Sequence, residues 1–166
     1  MRNGTSPLIF VVDDNPTYNK LVVSYLKSNN FLEVKSFLSG EECIQHINEN
    51  PDIIIQDYLL EGINGIDVLK GVKKKHPSIE FIFLSGQDNI EVAINTMKFG
   101  AFDYIVKDEV ALKKMVSKIN KIMSIKQLQK SNRYYKTGVF LFLIILVIAV
   151  VTLMSLSYFF PEKFKF

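Results

Sequence analysis

Residues 52–57 read DIIIQD: after Asp52 come three isoleucines, then one glutamine and a second aspartate, Asp57. Two other runs, LIFVV at 8–12 and EFIFLS at 80–85, are also nearly continuous in apolar residues. Strands that are covered on both faces have this composition, whereas a strand with one face in water alternates apolar and polar residues. The three segments therefore predict the centre of a parallel sheet that carries helices on both faces.

Two further strand-like runs, Leu32–Phe37 and Asp103–Lys107, extend the pattern on either side. Segments with helical periodicity separate the runs, and residues that favour helix N-termini mark three helix starts, at Asn15, Ser39 and Asp88. A strand followed by a helix, repeated five times, is the pattern of an α/β fold with a parallel sheet.

The composition is that of a globular protein, with 48% hydrophobic and 22% charged residues, and it excludes disordered and collagen-like chains. The single cysteine, Cys43, excludes an internal disulfide framework and a cysteine-rich metal site. Charge is distributed unevenly: residues 1–109 contain 10 Lys/Arg and 16 Asp/Glu, whereas residues 110–166 contain 10 and 1. The chain is an acidic part followed by a basic part.

Polar and charged residues follow the predicted strands at their carboxyl ends, where functional groups gather in such sheets. They are Asp13, Asp14, Asp57, Ser85 and Lys107. Clustered carboxylates repel one another, and oxygen ligands of this kind suit Mg²⁺. A metal beside a carboxylate, a hydroxyl and an ammonium group is suited to holding a phosphoryl group.

Four motifs carry a resemblance to a known family: VVDDN at 11–15, IIIQDYLLEGINGIDVL at 53–69, FLSG at 83–86 and GAFDYIVKD at 100–108. In order and spacing they resemble the receiver domain of bacterial two-component response regulators. The resemblance covers residues 8–125, after an N-terminal tail at 1–7. It implies a flavodoxin-like five-stranded sheet in the order 2-1-3-4-5.

The resemblance also implies roles for individual residues in phosphorelay signalling. Asp57 would accept a phosphoryl group from a histidine kinase or a phosphotransfer protein. Mg²⁺ would be bound by Asp14, Asp57 and the main-chain carbonyl of Leu59, with Asp13 acting through water. Ser85 and Lys107 would bind the phosphoryl group, and Ser85 and Tyr104 would form a conformational switch.

One departure from the family pattern concerns the residue after Lys107. Asp108 stands where the family usually has a proline that is preceded by a cis peptide bond. A cis bond costs about 2.5–4 kcal/mol before a residue other than proline, against about 0.5–1 kcal/mol before proline. We therefore expect a trans bond here, with Asp108 competing for Lys107.

The segment from 138 to 160 reads GVFLFLIILVIAVVTLMSLSYFF and contains no charged residue. As a helix it would be about 34 Å long, enough for a hydrocarbon core of about 30 Å, so a transmembrane helix is favoured over a helix buried in a soluble core. Residues 126–137 are predicted to form a basic, partly helical juxtamembrane linker, and 161–166 a short tail. Eight basic residues and no acid lie between 110 and 136, which indicates contact with anionic lipid headgroups and places the receiver domain in the cytoplasm.

These observations predict a phosphoprotein of the bacterial inner membrane, a tethered stand-alone receiver that is not an enzyme and has no DNA-binding output domain. No segment resembles a helix-turn-helix, so nucleic acid is not expected as a partner. An alternative is a membrane-anchored interaction module that works without phosphorylation. A phosphohydrolase is disfavoured, because Leu59 stands where a general acid would be needed.

Overall fold

The structure is a computed structural model. It describes residues 6–159, except for the side chains of Arg133, Lys136, Thr137, Leu153 and 155–159. The strands are β1 (Ile9–Val12), β2 (Val34–Phe37), β3 (Ile53–Gln56), β4 (Glu80–Ser85) and β5 (Asp103–Val106). The helices are α1 (Pro16–Ser28), α2 (Gly40–Gln45), α3 (Gly65–Lys75), α4 (Ile90–Lys98) and α5 (Ala111–Phe159), with a short 3-10 helix at Ile47–Glu49.

The five strands form one parallel sheet in the order β2-β1-β3-β4-β5. The predicted fold class and strand order are thereby confirmed, and β4 has the predicted bounds. Val12 pairs with Gln56, and Gln56 pairs with Phe83. The carboxyl ends of β1, β3 and β4 therefore meet at one edge, which brings the residues that follow them together.

Two apolar clusters cover the sheet, one on each face. One contains residues of α2 and α3, such as Cys43, Val68 and Leu69. The other contains residues of α1 and of the first turns of α5, such as Leu26 and Met115. Both clusters include fully buried side chains of β1, β3 and β4, as the continuous apolar runs predict.

Side-chain caps begin four of the helices, and two of the predicted caps are confirmed. Asn15 Oδ1 accepts hydrogen bonds from main-chain N–H groups at the start of α1, and Ser39 Oγ accepts one from Glu42 N. The predicted cap at Asp88 is wrong: Asn89 caps α4, accepting from the N–H groups of the following turn. Both residue types favour this position, so sequence spacing alone does not decide between neighbours.

The chain divides into two compact units, residues 1–123 and 124–166. The second unit is helical over residues 124–159, including 126–137, where the loss of the apolar stripe predicts a partly helical linker. Neither Gly nor Pro occurs in α5 before Gly138, so no helix-breaking residue interrupts the backbone over 111–137. Large apolar side chains from Val139 to Val151 are exposed.

Crossing a membrane takes about 20 consecutive apolar residues. Within the part of the chain that the structure describes, no helix is long and apolar enough to do so. The predicted transmembrane helix over 138–160 is therefore not supported. Phe160, the predicted tail at 161–166 and the first residues of the tail at 1–7 lie outside the described residues.

Candidate functional site

The carboxyl edge of the sheet brings three aspartates together. Asp57 N donates to Val12 O at 2.8 Å, which fixes Asp57 beside Asp13. Both side chains are buried, and Asp14 is half-buried. One carboxylate oxygen from each of the three aspartates lies within 4.8 Å of the other two. The predicted acidic cluster thus exists as a geometric unit.

Lys107 reaches this cluster from the end of β5. Its Nζ lies 2.8 Å from Asp13 Oδ2 and 2.5 Å from Asp57 Oδ2. Its main-chain N–H donates to Ser85 O at 2.7 Å, which continues the pairing of β4 with β5. A single ammonium group therefore bridges two carboxylates whose positions in the sequence are far apart.

The prediction that Asp108 competes for Lys107 is wrong. Asp108 Oδ2 pairs with Lys114 Nζ at 2.8 Å, and its Oδ1 accepts from Val110 N at 3.0 Å. Lys114 lies in the first turn of α5 and Val110 directly precedes that helix, so Asp108 is turned toward the start of α5. The peptide bond after Lys107 is trans, as predicted, and the described residues contain no cis peptide bond.

Burial and pairing shift the pKa values of the central ion pair. Burial raises the pKa of Asp57, and the hydrogen bond from Lys107 only partly offsets this effect. Burial alone would lower the pKa of Lys107, but its hydrogen bonds to Asp13 and Asp57 outweigh it, and the pKa is raised. Lys107 is therefore held in its charged form next to a carboxylate that is costly to ionise.

Ser85 and Tyr104, the predicted switch pair, lie on the neighbouring strands β4 and β5. The Ser85 side chain is fully buried, and its Oγ accepts a hydrogen bond from Gln87 N at 3.2 Å. The Tyr104 hydroxyl donates to Gln87 O at 2.7 Å, and its ring stacks on Phe83 with centroids 6.4 Å apart. Gln87 links both side chains through its main chain.

The main chain around Asp57 is tightly confined. Gln56 Nε2 donates to the carbonyl oxygen of Asp57 at 3.0 Å, and Leu59 N donates to Asp57 Oδ1 at 3.3 Å. A Cβ atom added at Gly65 would lie 2.4 Å from the same carbonyl oxygen. Leu59, whose carbonyl was predicted as a ligand, thus lies directly beside the carboxylate.

Three residues of the site were missed by the sequence interpretation. The ring of Tyr18 lies 4.3 Å from Lys107 Nζ. Asn19 is buried and donates from Nδ2 to Asp13 O at 3.2 Å. Glu61 N donates to Asp14 Oδ2 at 3.1 Å. Only Asn19 carried a sequence signal, since an amide on the apolar stripe of a helix needs a buried partner.

The arrangement fits a hard divalent cation. Three carboxylates with oxygens within 4.8 Å of one another are the ligand type that Mg²⁺ takes, usually together with water. Lys107 Nζ, 2.5 Å from Asp57 Oδ2, provides a further positive charge beside the same carboxylate. A carboxylate that lies next to a cation and an ammonium group can accept a group that is itself strongly negative, such as a phosphoryl group.

Comparison with known proteins agrees with this geometry. The family model of the response regulator receiver domain matches residues 9–120. A putative NtrX-like response regulator of Rickettsia typhi is 35% identical over 102 residues, and the luminescence regulatory protein LuxO of Vibrio campbellii is 32% identical over 98 residues. The two matches cover 60% and 58% of this chain and 21% of each relative. The chain therefore corresponds to about a fifth of the length of these curated relatives.

Solved structures show the same likeness. A response regulator receiver domain from Clostridium thermocellum superposes with a TM-score of 0.69 at 30% identity, covering 74% of this chain and 98% of that one. The signal receiver domain of a putative LuxO repressor protein from Vibrio parahaemolyticus also gives 0.69, at 21% identity, over 75% and 95% of the two chains. The second likeness shows the fold alone. By family match, fold and the acidic cluster at the sheet edge, the chain belongs to the response regulator receiver domain family.

Proposed function

We propose that this receiver accepts a phosphoryl group on Asp57 from a histidine kinase or a phosphotransfer protein, with Mg²⁺ as cofactor. The observation that carries the proposal is the environment of Asp57: a buried carboxylate, beside Asp13 and Asp14, with Lys107 Nζ at 2.5 Å. The chain then acts as the acceptor in two-component signalling rather than as an enzyme with a further substrate.

The transfer is a substitution at phosphorus. A carboxylate oxygen of Asp57 attacks the phosphorus of a phosphohistidine, and the phosphorus–nitrogen bond breaks. The imidazole leaves with the bonding electrons, and the product at Asp57 is an acyl phosphate. The reaction needs little covalent help from the protein, so positioning and charge stabilisation dominate it.

The residues around Asp57 have distinct parts in this proposal. Asp13, Asp14, Asp57 and the main-chain carbonyl of Leu59 would hold Mg²⁺, which supplies positive charge to the phosphoryl oxygens. The Lys107 ammonium pairs with another phosphoryl oxygen as a point charge. Ser85 donates its hydroxyl hydrogen to the group, and Tyr104, linked to Ser85 through Gln87, follows that change.

The test is labelling of the full-length chain in mild detergent with acetyl phosphate and Mg²⁺, read by intact-mass and peptide mass spectrometry. We expect one phosphoryl group on Asp57, none on Asp57→Asn, and normal labelling of the control Asp67→Asn, which changes an exposed carboxylate of α3. Equal labelling of Asp57→Asn would refute the assignment. A folded wild-type chain that is not labelled would favour the phosphorylation-independent interaction module.

We also propose that the C-terminal segment tethers the receiver to the bacterial inner membrane, with the receiver on the cytoplasmic side. The support is sequence 138–160, which has no charged residue, together with the eight basic residues between 110 and 136. Exposed apolar side chains over Val139–Val151 are consistent with a lipid environment.

Fractionation tests the tether. The full chain should stay in the membrane pellet after a carbonate wash, and a variant that lacks 138–160 should be released. Protease added to intact spheroplasts should leave the receiver uncut. Recovery of the full chain in the carbonate supernatant would refute the tether, and digestion in intact spheroplasts would reverse the orientation.

A further inference from the structure

Tyr18 is a half-buried residue of α1 whose ring lies against the site. Lys107 Nζ is 4.3 Å from the ring centroid, within the roughly 6 Å over which an ammonium group is attracted to an aromatic face. The main chain of Tyr18 is fixed by its N–H, which donates to Asn15 Oδ1 at 3.1 Å. Asn15 N donates in turn to Asp13 Oδ1 at 3.0 Å. The ring is thereby positioned relative to the acidic cluster.

The ammonium group of Lys107 thus has three partners: Asp13, Asp57 and the ring of Tyr18. The two carboxylates change their role when a phosphoryl group is transferred. Asp57 forms the new bond to phosphorus, and Asp13 belongs to the cluster that can hold a metal. The ring changes neither its charge nor its covalent state. Of the three contacts, it is the one whose attraction for the ammonium persists through the reaction.

We propose that Tyr18 is a positioning residue for phosphoryl transfer: its ring face keeps the Lys107 ammonium group beside Asp57 while the carboxylates engage the metal and the phosphoryl group. The inference rests on the proposed function of Asp57. It assigns no proton transfer to Tyr18, since an aromatic face attracts a cation through its quadrupole alone.

Substitutions at position 18 distinguish the contribution of the aromatic ring to the labelling rate from the contributions of the hydroxyl group and of apolar packing. In the full-length chain, Tyr18→Phe keeps the aromatic face and Tyr18→Leu removes it. The matched control is Tyr25→Leu, because Tyr25 lies on the same helix and packs against the same apolar cluster. We expect Mg²⁺-dependent labelling by acetyl phosphate to be roughly 2- to 30-fold slower in Tyr18→Leu, the range of a cation–aromatic contact, and near wild type in the other two.

A double-mutant cycle shows whether Tyr18 acts through Lys107. In a Lys107→Ala background, Tyr18→Leu should have no further effect on the labelling rate. The same fold loss in that background would overturn the inference, as would a Tyr18→Leu rate equal to that of Tyr25→Leu. A loss in Tyr18→Phe as large as in Tyr18→Leu would assign the effect to the hydroxyl group instead and would also overturn it.

The contact can also be measured without any substitution. The ring current of Tyr18 should shift the Lys107 Hε resonances upfield, and ordinary lysine values there would contradict the inference even if Tyr18→Leu did not fold. A wild-type chain without labelling would contradict the proposed function itself. Labelling on Asp57 with an unchanged Tyr18→Leu rate would contradict only the role of Tyr18.

Discussion

Replacing Gly65 by alanine is expected to displace the main chain of Asp57. The added Cβ atom would lie 2.4 Å from the Asp57 carbonyl oxygen and 3.0 Å from Phe83 Cε1. A carbon–oxygen contact of this type normally measures about 3.3 Å or more, so movement of roughly 1 Å is required. Two hydrogen bonds restrain the main chain of Asp57: its N–H donates to Val12 O at 2.8 Å, and its carbonyl oxygen accepts from Gln56 Nε2 at 3.0 Å.

The consequences should appear in both stability and labelling. Overpacking of a well-filled site costs about 1–3 kcal/mol, and we expect the free energy of unfolding to fall by about 2–3 kcal/mol. A 1 Å misplacement can slow a reaction about 100-fold, so labelling of Asp57 should slow by about 10- to 100-fold. Urea titration followed by near-UV circular dichroism, in mild detergent, measures the first effect, and mass spectrometry with acetyl phosphate measures the second.

Gly71 provides the matched control on the same helix. A Cβ atom added there meets no heavy atom within 4 Å, so Gly71→Ala should be neutral or stabilise the fold by up to about 1 kcal/mol through helix propensity. If Gly65→Ala unfolded at the same urea concentration as Gly71→Ala and kept the wild-type labelling rate, the reasoning from close approach would be refuted.

Four further predictions concern the acidic cluster. Burial raises the pKa of Asp57 above its ordinary value of 3.8, so carboxyl NMR of the Mg²⁺-free chain should give Asp57 a titration midpoint above 3.8, and a midpoint below 3.8 would contradict this. Since the pKa of Asp57 is higher in the folded than in the unfolded state, the ionised carboxylate lowers the free energy of unfolding at neutral pH. At pH 7, Asp57→Asn should therefore unfold at a urea concentration at least as high as that of the wild type. This difference in stability should shrink as the pH falls through the folded-state pKa. Mg²⁺ at ten times its dissociation constant should add about 1.4 kcal/mol to the free energy of unfolding of the wild type. The same Mg²⁺ concentration should stabilise Asp14→Ala less. A urea midpoint of the wild type that does not change with Mg²⁺ would argue against the metal site. Glu61→Pro removes the N–H that donates to Asp14 Oδ2 and should weaken Mg²⁺ binding about 10-fold, as measured by calorimetry, with Glu61→Ala unchanged because it keeps the donor.

Much of the fold followed from local patterns. The apolar runs at 8–12, 52–56 and 80–85 identified the central strands, because only strands covered on both faces lack polar alternation. The caps at Asn15 and Ser39 were found because capping depends on residues within one turn. The cap at Asn89 was misplaced, since two adjacent residues satisfied the same local rule.

The partners of individual side chains did not follow from local patterns. Asp108 was expected to compete for Lys107, but it turns to Lys114 at the start of α5. No local pattern pointed to a role for the ring of Tyr18, yet it lies against Lys107. Such choices depend on distances of a few ångströms between segments that are remote in sequence.

The sequence by itself determined which residues stand at the strand ends, because strand length and polarity depend on residues that are neighbours in the chain. The same residues carry the family match. Parallel pairing then placed Asp13 next to Asp57 without any special contact between their side chains. Only the tertiary structure decided that one ammonium group, from Lys107, bridges both carboxylates, and that Gly65 has no room for a Cβ atom. The physical reason is that Coulomb attraction and steric repulsion change steeply within a few ångströms, and distances of that size exist only once the chain has packed.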